Sequence, residues 1–323
     1  MKVLVVGATG HVGSQAAQFA QEAGHTVRAM VRREGTTFDA PGIEPVLGDL
    51  ADRESLRRAL HGIEVVVATA NAIIPQGRTQ SIPQMARDGY GALIEEAEAA
   101  GVRHFILASV PAHPLERAVP ELAAKRTIEA LLMRSRLAYT ILRNPAFTDV
   151  WLVMAGAGQA AGRNPFATTG RSFGFVRLWQ ALTGNLVQRR GVMLAPGGAG
   201  HGAPFITTQD VARMLVGVIG KQKAFNRVIE AGGPEWLTWR DVADLLSRKT
   251  GRRVRIVAMP SWLAATAQLL VRPFSAPAGN VLGLVRFVAT HQPRWDAPTM
   301  VEEFDLPPQV TVAQYLDTHW SET

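Results

Sequence analysis

Gly7, Gly10 and Gly13 stand three residues apart in the run Gly7-Ala8-Thr9-Gly10-His11-Val12-Gly13, directly after the short apolar segment Lys2–Val6. Each position has a separate physical use. Glycine at the first lets the chain turn sharply. At the second it removes the Cβ that would block a diphosphate, and at the third it lets the following helix sit close to a sheet. The first turn of that helix then offers N–H groups and the positive end of the helix dipole. The chemistry implied is the holding of a dinucleotide, with Gly7, Thr9, Gly10, His11, Val12 and Gly13 around its diphosphate.

The residues after the next apolar segment refine this expectation. Thr26–Val31 runs into Arg32-Arg33-Glu34, where an NAD site usually places an acid for the ribose hydroxyls. Two guanidiniums suit a 2′-phosphate, which arginine grips in bidentate fashion, so NADP(H) is favoured over NAD(H). The competing reading is a solvated pair with Glu34 as an internal partner. Asp49 and Leu50 follow a third apolar segment and are expected at the adenine edge; Thr69, Ala70 and Asn71 follow a fourth, near the adenosine ribose and diphosphate. Ser109 ends a fifth, on the carboxyl side where ligands of open α/β sheets bind.

The elements that must position these residues follow from periodicity. Strands are expected over Lys2–Val6, Thr26–Val31, Glu44–Leu47, Glu64–Ala68, Arg103–Ala108 and Ala138–Leu142. Helices are expected over Val12–Ala23, Asp52–Leu60, Pro83–Ala100 and Pro120–Arg134, with Gly24 and Gly101 as stops. This alternation predicts an α/β fold: a Rossmann-type doubly wound parallel sheet, with a smaller C-terminal α/β domain on the substrate side. The expected division is 1–145 for dinucleotide binding and 146–323 for a substrate or lid region, the latter partly interleaved with the sheet around 190–232. After Pro145 the rhythm fails. It returns where Thr207 and Asp210, then Thr238 and Asp241, take capping-box spacing. Strands are expected at Phe225–Glu230 and Val254–Ala258, and a helical, Pro-interrupted tail from Pro260.

Bulk properties narrow the function classes. The 323 residues are 47% hydrophobic and 19% charged, an ordinary globular composition. The absence of cysteine excludes disulfides, thiolate catalysis and Cys-ligated metals. The eight histidines show no metal-binding spacing, so no metal is expected. The net charge of +7 comes mostly from arginine, without basic runs interleaved with aromatics, so nucleic acid is not an expected partner. No apolar run is long enough to span a bilayer, and the opening segment is too short for a signal peptide. A cytoplasmic monomer or homodimer is the expectation, with peripheral membrane contact through 261–290 left open.

Taken together, GATGHVG, VRR, GDL, AGVRHFILAS, YTILRNPAFTDVW, ITTQDVARML and GGPEWLTWRDVADLLSRKTGRRV resemble the short-chain dehydrogenase/reductase superfamily in its extended, atypical branch. The likeness is to the NmrA-like and isoflavone-reductase-like NAD(P)H-binding group. It covers most of residues 1–260 and weakens over 155–200 and the tail. What it implies is NAD(P)H binding and, in many members, reduction of small molecules; the branch also includes proteins without catalysis. The superfamily's usual catalytic pair is a Tyr four residues before a Lys. Lys125 stands at the Lys position, and Glu121 stands where the Tyr would be.

The resemblance implies that Lys125 holds the nicotinamide ribose and helps deliver a proton. Tyr90 precedes the fifth strand and could reach the cleft; Ser109 could bind a substrate carbonyl or only close its strand. His113 reads as loop surface more readily than as a titrating group, and Arg143-Asn144-Pro145 as a strand-ending turn or a cleft wall that places Asn144 near the nicotinamide. Gly170-Arg171-Ser172-Phe173-Gly174 matches a hydrolase nucleophile elbow but lacks the apolar strand in front, and is rejected. The aromatics Trp151, Phe166, Phe173, Phe175 and Trp179 fit a lid, a partner interface or a second core. The expected function is NADPH-dependent reduction of a carbonyl or activated alkene, quinones among the candidates, in an apolar small molecule. The alternative is a non-catalytic NADP(H)-binding sensor or assembly protein.

Overall fold

The computed structural model describes residues 1–71, 81–161, 174–292 and 299–320. Phe166, Phe173 and residues 170–173 of the elbow-like pattern lie outside these, as does the Phe175 side chain.

In chain order the first half runs β1 (Lys2–Val6), α1 (His11–Glu22), β2 (Thr26–Val31), β3 (Ile43–Leu47), α2 (Arg53–Leu60), β4 (Val65–Ala68), α3 (Ile82–Gln84), α4 (Tyr90–Ala99), β5 (His104–Ser109), α5 (Pro120–Arg134) and β6 (Tyr139–Arg143). There follow α6 (Thr148–Met154), α7 (Gly174–Thr183), α8 (Leu186–Arg190), β7 (Val192–Pro196), β8 (Gly202–Ala203), α9 (Thr208–Gly217), β9 (Arg227–Glu230), β10 (Leu237–Thr238) and α10 (Trp239–Thr250). The chain closes with β11 (Arg255–Met259), α11 (Ser261–Val271), α12 (Ala276–Thr290), α13 (Thr299–Phe304) and α14 (Val312–His319).

The chain divides into two compact units. The first comprises residues 1–144, 211–231 and 300–306; the second comprises 145–210, 232–299 and 307–323. The first is built on a seven-stranded parallel sheet of order β3-β2-β1-β4-β5-β6-β9. Its inner strands are apolar and sealed: Val3 to Val6, Val65 to Ala68 and Phe105 to Leu107 are all buried, as parallel strands covered on both faces must be. The order reverses between β1 and β4, which opens a crevice beyond their carboxyl ends. The main core lies on one side of this sheet and joins Leu4 and Val66 to Leu56, Leu60, Leu93, Ile128 and Leu132.

One expected helix is interrupted. The segment anticipated as Pro83–Ala100 contains a π-helical turn over Met85–Gly89 between α3 and α4. Gly89 packs there at close range, since a Cβ on it would lie 3.1 Å from the Leu50 Cβ. A π turn shifts the register of the following helix, and thereby sets where Tyr90 points.

The second unit holds two small two-stranded sheets, parallel β7–β11 and antiparallel β8–β10, with α6, α7, α8, α10, α11, α12 and α14. The capping box read at Thr238 and Asp241 forms in full, and at Thr207 and Asp210 one of its two bonds is seen. Thr238 and Asp241 bond reciprocally at the start of α10, and the Asp210 N–H donates to the Thr207 hydroxyl at 3.0 Å ahead of α9. The Trp179 indole donates to the Met154 carbonyl at 3.2 Å, which fixes α7 on α6.

Candidate functional site

The turn after β1 is set by contacts that only glycine allows. Gly7 has φ +89°, and a Cβ on it would lie 2.6 Å from the Ala70 backbone nitrogen. A Cβ on Gly13 would lie 2.2 Å from the Gly7 carbonyl oxygen and 2.5 Å from Thr69 Oγ1. The first helical turn therefore sits against the ends of β1 and β4. Gly10 differs. Its N–H donates to the Gly7 carbonyl at 2.8 Å, but a Cβ there would meet only that oxygen, at 3.0 Å. Among the described residues, nothing else fills the space beside it. α1 has no side-chain cap and no acid in its first turn, so the end that attracts anions is neither capped nor neutralised by its own sequence.

The neighbouring strand ends complete one wall. Thr69 donates its hydroxyl to the Val6 carbonyl at 3.1 Å, tying β4 to β1. Ala70 is half-buried and Asn71 exposed. Asp49 is half-buried and accepts the Ala51 N–H at 2.9 Å; Leu50 is buried in the core. Arg32 and Arg33 are exposed beyond β2 and make no ion pair among the described residues, Glu34 included.

A polar cluster lies beside Ala70 and Asn71. Tyr90, Glu121 and Lys125 line a small pocket with Asn71, Ile82 and Met85. All three are almost fully buried. Tyr90 donates its hydroxyl to the Ala70 carbonyl at 2.6 Å, and Lys125 Nζ donates to the Ala108 carbonyl at 2.9 Å. Glu121 and Lys125 stand one turn apart on α5. Burial pushes the Glu121 carboxyl up, against the opposing pull of Lys125 and Asn71. Burial lowers the Lys125 ammonium, against the opposing pull of Glu121 and Glu129. Burial, with Glu121 nearby, also raises the Tyr90 phenol. Each shift favours the uncharged form, as desolvation requires.

Ser109 and Asn144, at the ends of β5 and β6, are both buried and hydrogen-bonded within the protein. The Ser109 hydroxyl donates to Glu129 Oε1 at 2.6 Å and accepts from Arg126 at 3.2 Å. It serves the protein's own network in place of a free carbonyl-binding group. The Asn144 amide is buried and donates to the Ser109 carbonyl at 3.3 Å and the Leu142 carbonyl at 3.2 Å, joining the ends of β5 and β6. His113 Nδ1 accepts the Leu115 N–H at 3.0 Å and shapes its own loop.

Glu129 was not singled out from sequence. It is buried and bonds Arg126 at 2.7 Å and Arg143 at 2.8 Å, while Arg143 reaches Glu230 at 3.1 Å. A signal existed: Glu121, Lys125 and Glu129 recur every four residues on α5, in step with the buried Leu122 and Leu132.

The sequence model of the NmrA-like family matches residues 1–293, so the chain belongs to that family. It is 25% identical over 329 residues to the photosystem II assembly factor Ycf39 of Synechocystis sp. (strain ATCC 27184 / PCC 6803 / Kazusa), covering 99% of this chain and 91% of that protein. It is 26% identical over 263 residues to the NAD(P)H azoreductase of Xenophilus azovorans, covering 80% of this chain and 77% of that one. An NADPH-dependent quinone oxidoreductase from Escherichia coli, solved with NADPH, shares the fold. Its TM-score is 0.70 at 19% identity, with 99% of this chain and 100% of that chain covered.

Proposed function

We propose that this member of the NmrA-like family binds NADP(H) and reduces a carbonyl or activated alkene of an apolar small molecule, quinones included. The observation that carries the reading is the uncapped start of α1 beside Gly10, where among the described residues an added Cβ would meet only the Gly7 carbonyl oxygen. A diphosphate fits that cradle by charge and by shape. Gly7, Thr9, Gly10, His11, Val12 and Gly13 would hold it. Arg32 and Arg33, free of carboxylate partners among the described residues, would take a 2′-phosphate. Asp49 and Leu50 would border the adenine, Thr69 to Asn71 the ribose and diphosphate, and Ser109 and Asn144 the strand ends on the nicotinamide side.

When bound, the reduced nicotinamide supplies a hydride; the chain supplies position and a proton. Lys125 Nζ would orient the nicotinamide ribose from its anchor on the Ala108 carbonyl. Glu121, favoured in its protonated form by burial, would hold on its carboxyl oxygen the proton that the superfamily's Tyr would otherwise carry. Tyr90 walls the pocket and holds the Ala70 loop. The names of two similar proteins, the azoreductase and the quinone oxidoreductase, support a reductase.

A second reading is a dinucleotide-binding assembly or regulatory protein without turnover. It is favoured by the backbone carbonyls that already engage Tyr90 and Lys125, and by the likeness to the photosystem assembly factor. Calorimetric titration with NADPH, then NADPH oxidation over a panel of quinones, enones and aldehydes, separates the two. Binding with turnover supports the reductase, and binding without turnover on any member supports the second reading. No binding at about 1 mM NADPH, a concentration at which even weak complexes are visible, overturns both.

A further inference from the structure

α11 is amphipathic in the reverse sense. Its buried positions are Ala264 and Gln268, whereas Trp262, Leu263, Leu269 and Leu270 are exposed by 67%, 49%, 74% and 66%. At about 100° per residue these exposed positions, with Thr266, fall on one stripe. Thr266 donates its hydroxyl to the Trp262 carbonyl of its own helix at 3.0 Å, so it asks nothing of a partner. The stripe continues into the tip Arg272-Pro273-Phe274, where the Phe274 ring is 91% exposed. This tip is braced. The Arg272 N–H donates to Gln268 at 2.9 Å, and the Phe274 and Ser275 N–H groups both donate to Val271, at 3.0 and 2.9 Å. Gly279 lets α12 approach the tip so closely that a Cβ on it would lie 3.1 Å from the Arg272 Cα. A rigid hairpin thus presents five large apolar side chains to the outside, an arrangement that marks an interaction surface.

The charge of the segment identifies what it fits. Residues 256–292, which hold α11, the tip and α12, contain no Asp or Glu, and their charged residues are the exposed Arg272 at the tip and Arg286 on α12. Protein interfaces need about one hydrogen bond per 100–200 Å², and this stripe offers aliphatic carbon and one indole N–H. Acyl chains require no hydrogen bonds, an indole suits the headgroup boundary, and uniform positive charge is drawn to anionic headgroups. We infer that α11 and the Arg272–Phe274 tip dock on an anionic lipid bilayer, with Trp262, Leu269, Leu270 and Phe274 entering the acyl boundary and Arg272 meeting the headgroups. No helix among the described residues is long and apolar enough to cross a membrane, so the contact is one of lying on the surface.

Co-sedimentation of the full chain with phosphatidylglycerol-containing vesicles and with pure phosphatidylcholine vesicles tests this without any cofactor. The expected result is pelleting with the anionic vesicles, at least about fivefold weaker binding to the neutral ones, and loss on raising salt from about 0.1 to 0.5 M. The triple variant Leu269→Gln, Leu270→Gln, Phe274→Ser should lose at least about tenfold in partitioning, with an unchanged thermal melt because all three side chains are exposed. Absence of pelleting with anionic vesicles overturns the inference, as does equal binding by the triple variant. A dimer in solution that the triple variant abolishes, without vesicle binding, would assign the stripe to a second copy of the chain and overturn it too.

Discussion

The Ser109 hydroxyl donates to Glu129 at 2.6 Å, and so ties the end of β5 to the buried side of α5. The same carboxylate receives Arg126 and Arg143, so one buried negative charge holds two guanidiniums in place. Glu129→Ala leaves both without it and should cost about 3 kcal/mol of stability. Ser109→Ala removes one hydrogen bond from a carboxylate that keeps its arginines, and should cost about 1 kcal/mol. Urea unfolding of the two variants checks the order, and a larger loss in Ser109→Ala contradicts it.

Gly10 and Gly13 should respond differently to the same added methyl group. At Gly13 it would press on the Gly7 carbonyl oxygen and Thr69. Gly13→Ala should therefore cost about 1–3 kcal/mol of stability through overpacking, besides weakening dinucleotide binding. At Gly10 it meets, among the described residues, one backbone oxygen at 3.0 Å and nothing else. Gly10→Ala should melt close to the parent while its NADPH affinity falls at least about tenfold. Calorimetry and thermal melts on both variants test the contrast.

Arg32 and Arg33 bear on cofactor choice. Replacing both with Ala should raise the NADPH Kd by about 10–100-fold and leave the NADH Kd nearly unchanged, because the 2′-phosphate is the only group that distinguishes the two ligands. Equal affinity of the parent chain for the two dinucleotides would remove the basis for a preference.

Lys125→Met should lower kcat of any reductase turnover by about 100-fold, within the range seen for lost acid–base groups. Glu121→Gln should preserve the shape of the pocket but remove its titratable proton, so kcat should fall and the loss of kcat as pH rises through the carboxyl's titration, the basic limb of the profile, should disappear. Profiles of kcat against pH for parent and Glu121→Gln decide whether this carboxyl carries the proton.

His104 gives the fold a pH dependence separate from the site. Its ring is buried, accepts the Gly220 N–H at 3.2 Å and meets Thr140 Oγ1 at 2.8 Å, while Thr140 donates to the Ala224 carbonyl at 2.6 Å. Burial pushes its pKa down to about 4 from 6.5. The unfolded chain therefore takes up a proton at a pH where the folded chain does not. The stability supplied by the neutral ring is complete above about pH 6.5 and drains away as pH falls toward about 4, by up to about 3 kcal/mol. His104→Gln should be less stable at neutral pH and show a flatter stability curve over that interval in urea titrations.

The parallel sheet was legible because its inner strands are short, mostly apolar and separated by helices with glycine stops. β1, β2, β4 and β5 lie within a residue or two of the segments read from sequence. The glycine turn was legible for the same local reason, since Gly7 and Gly13 are required by contacts within the β1–α1 unit and the adjoining strand end. The π turn at Met85–Gly89 leaves no trace in periodicity, because a single inserted residue looks like ordinary noise in an apolar pattern. Glu129 was passed over because a charged residue on a helix is normally solvated; here its cost of burial is met by partners distant in sequence, Ser109 and Arg143. β7 has no counterpart in the sequence reading, whereas its equally short partner β11 does.

The last strand of the main sheet, β9, is supplied by residues 227–230, far beyond the segment that builds the other six. During synthesis, the β6 edge stays open until more than eighty further residues have emerged. A fragment cut at Asn144 would carry every glycine of the β1–α1 turn and still present an unpaired edge, the kind of surface that recruits other chains. Dissecting this protein into a free-standing dinucleotide module therefore calls for splicing residues 211–231 back onto the first 144, not for a simple stop codon.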